Sequence, residues 1–357
     1  MEQNQNGGIR QFLARKNIVF SAKRYGIDAL SAMAQGLFAS LLIGTIISTL
    51  GQQTGIRFLE QAGDYAKAVS GPAMAISIGY ALQAPQLVLF SLLAVGQAAN
   101  GLGGAGGPLA VLVITIFATE SGKAISKETK VDILATPLVT ILVGTALSVW
   151  WAPSIGAGAS AVGKLIMWAT DLQPFFMGIF VSVIVGVALT LPISSAAICA
   201  ALSLTGLAGG AAVAGCCAQM VGFAVMSFRE NKWGGLVSQG LGTSMLQMGN
   251  ILRNPCIWIP PTLASAITGP IATCIFKMKM NGPAVSSGMG TCGLVGQIGV
   301  YTGWLNDIAE GTKAAITAMD WVGMLLVCFI LPAVLSTLFC VILRNFNLIR
   351  EGDLTLE

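Results

Sequence analysis

Apolar residues run for about one membrane thickness near 29–50, 72–99, 132–151, 174–191, 210–228, 256–276 and 321–343. A helix rises about 1.5 Å per residue, so about 20 such residues cross a hydrocarbon core of about 30 Å. Shorter runs at 108–119, 192–208 and 283–300 are rich in Gly, Ser, Thr and Pro. They fit tilted spans, half-helices or re-entrant loops, and hydropathy does not choose among these. The pattern predicts an all-α, polytopic integral membrane protein with about eight to ten transmembrane helices.

Polar residues between the runs suggest which side each connection faces. Arg10, Arg15, Lys16, Lys23 and Arg24 precede the first run, whereas Gly51–Ser70 carries only Arg57 and Lys67. The excess of basic residues places a retained arm, 1–28, in the cytoplasm and the 51–70 loop outside. Lys123, Lys127 and Lys130, and then Arg229 and Lys232, mark further cytoplasmic connections. The tail 345–357 mixes both charges and does not fix its own side. Segment 152–173, with Lys164, Met167, Trp168 and Asp171, reads as an interfacial helix or a solvated connection.

Landmarks recur in one order along the chain. Gln35-Gly36-Leu37 resembles Gln239-Gly240-Leu241, Ser70-Gly71-Pro72 resembles Thr268-Gly269-Pro270, and the glycine cluster 101–107 has a counterpart at 288–293. Asp132 with Pro137 parallels Asp320 with Pro332. These matches predict a first membrane repeat, 29–151, and a second, 233–344, joined by a central helical insert, 152–232. Duplicated halves that enclose one site are a habit of transporters.

Composition narrows the class further. The 357 residues are 55% hydrophobic and 10% charged, with a mean hydropathy of +0.78. Soluble domains carry about 25% charged residues, so this chain needs the lipid bilayer as part of its solvent. A net charge of +4, with the basic residues spaced singly, gives no footprint for nucleic acid. The eight cysteines form no CxxC pair and read as small packing residues. There is no histidine, which removes imidazole from any catalytic or metal site; neither a cofactor nor a metal is expected.

Candidate solute contacts follow from the cost of polar groups at membrane depth. Glycine-rich breaks at Gly101–Gly107 and Gly288–Gly293 free backbone that must be buried in protein or line a wet cavity. The first spells Gly101-x-Gly103-x-x-Gly106, but no strand precedes it, and tight helix packing accounts for either cluster as well as a solute does. Side-chain amides at Gln83, Gln86, Gln97, Asn100, Gln219, Gln247, Asn250 and Gln297 can each donate and accept, which suits a polyhydroxylated solute or interhelical bonding. Arg253, just before Asn254-Pro255, is either a functional charge or a residue snorkelling from a helix end. The expected substrate-binding set is Asn250, Arg253, Asn254, Ser287, Gly288, Gly290, Thr291 and Gln297, with Gln97 and Asn100 opposite. No catalytic residue is expected.

The run from Asn250 to Thr262, Gly269-Pro270, and Gly288-Met289-Gly290-Thr291 with Gly293-Leu294-Val295-Gly296-Gln297 resemble the membrane subunit IIC of bacterial phosphotransferase-system (PTS) sugar transporters. The similarity is to the divergent group that includes the perfringolysin toxin regulator, and it runs from Gln35 to about Leu343. The resemblance implies a permease in the bacterial plasma membrane that takes up a sugar or similar small polar solute. It also implies separate PTS phosphocarrier subunits as partners, and a homodimer is expected. The chain departs from the family scheme in having no histidine to place beside a catalytic glutamate, so coupling to phosphorylation stays open, with Glu120 the acid nearest a membrane cavity. A membrane-embedded solute sensor that does not transport is the alternative, whereas an enzyme acting by itself lacks a nucleophile and base.

Overall fold

The computed structural model describes residues 10–356; residues 1–9 of the expected arm and residue 357 lie outside the described residues. Among the described residues the regular elements are helices, and the one extended pairing is an isolated bridge between Gly206 and Met280. Among the described residues five helical stretches are long and apolar enough to cross a membrane: Lys23–Thr54, Gln86–Ile125, Asp132–Thr170, Gly206–Met226 and Ala318–Asn345. The chain is thus an all-α multi-pass membrane protein.

The chain forms two compact units. The first comprises Met1–Leu41 and Ala68–Ala157, and the second Leu42–Lys67 and Gly158–Glu357. The expected repeat concerns likeness between 29–151 and 233–344, which compactness does not address, and it stays a proposal.

In the first unit, helices Ala29–Leu37, Ser70–Ala81 and Gln86–Gly103 bury Met33, Met74, Ile78 and Leu92 completely. The glycine cluster breaks the apolar stretch as anticipated. Helix Gln86–Gly103 stops, Gly104 takes φ +51°, and a new helix begins at Gly107 with Pro108 in its first turn. Proline fits there because its missing N–H has no helical partner at that position. The polar arm is not a solvated extension. Lys16 donates to the Ser126 carbonyl, and Lys123 donates to the carbonyl of Asn17 at 2.7 Å.

Two expectations about connections change. Segment 152–173 is continuous with the preceding run in one 39-residue helix, Asp132–Thr170. Its Gly, Ala and Ser residues do not stop a helix, which also runs through Pro153 despite the lost N–H bond and the crowding of the carbonyl one turn back. The 51–70 loop is largely helix Arg57–Ala68, entered after Gly55 caps the previous helix at φ +72°. Asp64 and Lys67 pair on it at 2.9 Å, and Lys67 also reaches the Ser48 hydroxyl at 3.1 Å.

The second unit is organised around helix Gly206–Met226. Its glycines, alanines and Cys216-Cys217 let the Pro174–Thr190, Ile259–Pro270 and Leu331–Asn345 helices approach closely. At Gly178 a Cβ would lie 2.6 Å from the Thr273 hydroxyl, so that crossing admits no side chain. Of the central helix's most apolar 18-residue window, 94% is buried, against 22% for Asp132–Thr170. The central helix therefore faces protein and the long helix presents its surface to lipid.

Candidate solute site

A fully buried amide occupies the middle of the central helix. Gln219 Oε1 accepts from the Trp258 indole N–H at 3.0 Å and the Thr190 hydroxyl at 3.3 Å, while its Nε2 donates to Thr262 Oγ1 at 3.2 Å. Thr190 Oγ1 lies 2.8 Å from Ser244 Oγ. Trp258 and Thr262 also line a cavity of about 320 Å³, otherwise walled by Val187, Pro255, Ile259 and Leu263. Thr262 is the one hydroxyl among the lining residues, and the Gln219 amide lies behind it, held by its own bonds.

The 247–254 segment makes a second polar cluster, and the chain's own C-terminal tail fills it. Gln247 Nε2 donates to Gln239 Oε1 and to the Leu354 carbonyl, both at 2.9 Å. Asn250 Nδ2 donates to Gln247 Oε1 and the Thr355 carbonyl, both at 2.8 Å. Asn254 Nδ2 reaches the Leu348 carbonyl at 2.9 Å and Asp353 Oδ2 at 2.7 Å, while its Oδ1 accepts from the Cys256 N–H at 3.1 Å. Asn231 bonds both Leu354 and Leu356. Ile349 and Leu354 are buried beneath these bonds. Arg253 is exposed at the end of its helix, with Nη1 3.5 Å from Asn250 Oδ1.

The third cluster is the glycine-broken hairpin. Two short turns, Ala284–Gly288 and Cys292–Leu294, lead into helix Val295–Ala309. Gly290, Gly293 and Leu294 all have positive φ, at +55°, +51° and +59°. A leucine held left-handed is strained, and such strain gathers at functional turns. Ser287 donates to the Leu204 carbonyl at 2.6 Å, and the Gly288 carbonyl accepts from Ser195 at 2.7 Å. Thr291 donates to the Gly240 carbonyl at 2.5 Å; Gly240 follows Gln239, so this turn joins the hairpin to the amide cluster. Gln297 Nε2 lies 3.1 Å from Cys217 Sγ, whereas its Oε1 is buried with no hydrogen-bond partner among the described residues. Exchanging the amide's oxygen and nitrogen would merely leave its other end unsatisfied.

In the first unit, Gln97 is exposed and Asn100 half-buried on helix Gln86–Gly103. Glu120 is held: it pairs with the buried Lys123 at 2.9 Å and accepts from Tyr25 Oη at 3.0 Å.

The structure therefore brings Asn250 and Asn254 together on the tail, and Ser287 through Gln297 together against the central helix. In the sequence Gln219 is one amide among several, and nothing there connects it with Thr190, Ser244 and Trp258. The signal was its position amid small residues of the most buried helix. A family model described as "Phosphotransferase system, EIIC" matches residues 27–356. No curated protein and no solved structure matches the chain.

Proposed function

Because the chain belongs to the phosphotransferase-system EIIC family, and so is a membrane component of sugar transport, we propose that it is a permease for a neutral, polyhydroxylated solute. The observation that carries this reading is Gln297: an amide 6% exposed, one end without a partner, beside a hairpin held in left-handed backbone. A buried polar group left unpaired calls for an explanation, and a sugar hydroxyl can donate to it. Gln297, Ser287, Gly288, Gly290 and Thr291 contact the solute in this reading. Asn250 and Asn254 join once the tail yields them, with the exposed Arg253 beside them. Phosphoryl transfer falls to separate phosphocarrier subunits, since this chain has no histidine and Glu120 is neutralised by Lys123.

Proteoliposomes tested with radiolabelled hexoses, hexitols and disaccharides should show saturable uptake of one class. Calorimetry with that solute should show Gln297→Ala binding about 2- to 12-fold more weakly, the range of one neutral hydrogen bond. Binding without flux would make the protein a solute sensor, and unchanged affinity in a folded variant would move the site elsewhere.

In the same reading the protein lies in the bacterial plasma membrane as a homodimer with its N-terminal arm in the cytoplasm. Arg10→Cys, in a background with the native cysteines replaced by alanine, should resist an impermeant maleimide in intact cells and react once they are opened. Light scattering of the purified protein gives the mass that checks the dimer.

A further inference from the structure

We infer that the first unit carries a binding pocket for the phosphate of an anionic phospholipid headgroup. A cavity of about 350 Å³ is lined by Arg15, Lys16, Lys123 and Lys127, with Glu128 as the one carboxylate in its wall. Lys16 and Lys123 are built into the fold, with side chains 8% and 1% exposed. Arg15 and Lys127 sit at the surface, Lys127 on left-handed backbone at φ +62°.

The wall is short of negative charge. Lys123 has Glu120, and Asp132 accepts from the Lys127 backbone N–H at 2.6 Å, but Arg15 at 2.7 Å and Lys16 at 2.5 Å share a single oxygen, Glu128 Oε1, so four cations meet three carboxylates. The hydrogen bond from Lys16 holds the Glu128 carboxyl below its ordinary value, so it is ionised at neutral pH. A phosphate group would offer a separate oxygen to each cation, which one carboxylate oxygen does not.

The surroundings select a lipid over a free ion. The cavity lies where helix Gly107–Ile125 ends and helix Asp132–Thr170 begins, and both belong to membrane spans. Just beyond it Val131, Ile133 and Leu134 are 59%, 72% and 69% exposed, a surface fit for acyl chains. Basic pockets at the ends of spanning helices bind anionic headgroups for this reason.

The purified full chain, in neutral detergent, would be titrated with phosphatidylglycerol, phosphatidylcholine or inorganic phosphate. Bound lipid is counted by native mass spectrometry, and thermal unfolding is followed in parallel. Phosphatidylglycerol should bind at least about tenfold more tightly than phosphatidylcholine. Arg15→Ala with Lys127→Ala should weaken it about 25-fold, at about fivefold for each cation. Arg57→Ala, an exposed cation of the second unit, should change nothing. Glu128→Gln should tighten phosphatidylglycerol binding, because it removes the competing carboxylate; a merely structural role for Glu128 predicts the reverse. Equal binding of the two lipids, a double variant that binds like wild type, or weakening by Glu128→Gln would each overturn the inference. Protection by inorganic phosphate equal to that by phosphatidylglycerol would overturn the lipid as its source.

Discussion

Lys123 shows how one residue commits its surroundings. Its ammonium is buried and satisfied by Glu120 and by the carbonyls of Asn17 and Leu82. Removing either ionic partner leaves the other charge stranded at low dielectric. Glu120→Gln or Lys123→Met alone should therefore cost about 3–5 kcal/mol of stability, and the double variant should cost less than the two added together. Thermal unfolding of the four proteins checks this cycle. Simple additivity would mean that the pair is not coupled.

At the scale of elements, the hairpin around Gly290 is the place where backbone and side chain conflict. A Cβ on Gly290 would lie 2.7 Å from that of Cys216 in addition to its left-handed φ, so Gly290→Ala should lose more than about 1–2 kcal/mol. Leu294→Gly should move the other way, gaining up to about 1 kcal/mol by relieving the same conformation, because Leu294 is 41% exposed and has little packing to lose. The midpoints of thermal unfolding give both signs. These breaks were partly legible in the sequence: dense glycine runs inside apolar stretches suggest either a break or close helix packing, and the glycines of the unbroken helix Gly206–Met226 serve the second use. The Arg57–Ala68 helix was less so: it is short and polar, and its stability comes from packing against residues such as Gly44 and Ser48 rather than from its own pattern.

For the molecule as a whole, hydropathy was enough to announce a helical membrane protein, since in lipid a long apolar segment satisfies its polar backbone N–H and C=O groups within itself only as a helix. It did not announce that the tail folds back. A side-chain amide recognises a sugar hydroxyl and a peptide carbonyl through the same donors, so Asn250 and Asn254 look alike for either partner until tertiary structure supplies one. A chain ending at Asn347 should unfold at a lower temperature than the full protein. Each amide among Asn231, Gln247, Asn250 and Asn254 that water does not reach would cost about 1–3 kcal/mol. An unchanged midpoint would show that the tail contributes nothing to the fold.

The same feature bears on how the protein is made. The amides that hold the tail lie 94 to 125 residues upstream of their partners. At a synthesis rate of about 5–20 residues per second, they emerge roughly 5–25 seconds before those partners exist. During that interval Gln239, Gln247 and Asn250 have one another, in the bonds already described, while Asn231 and Asn254 wait. The second unit is thus completed only after residues 348–356 have been synthesised, and a chain released before them leaves those last polar contacts unmade.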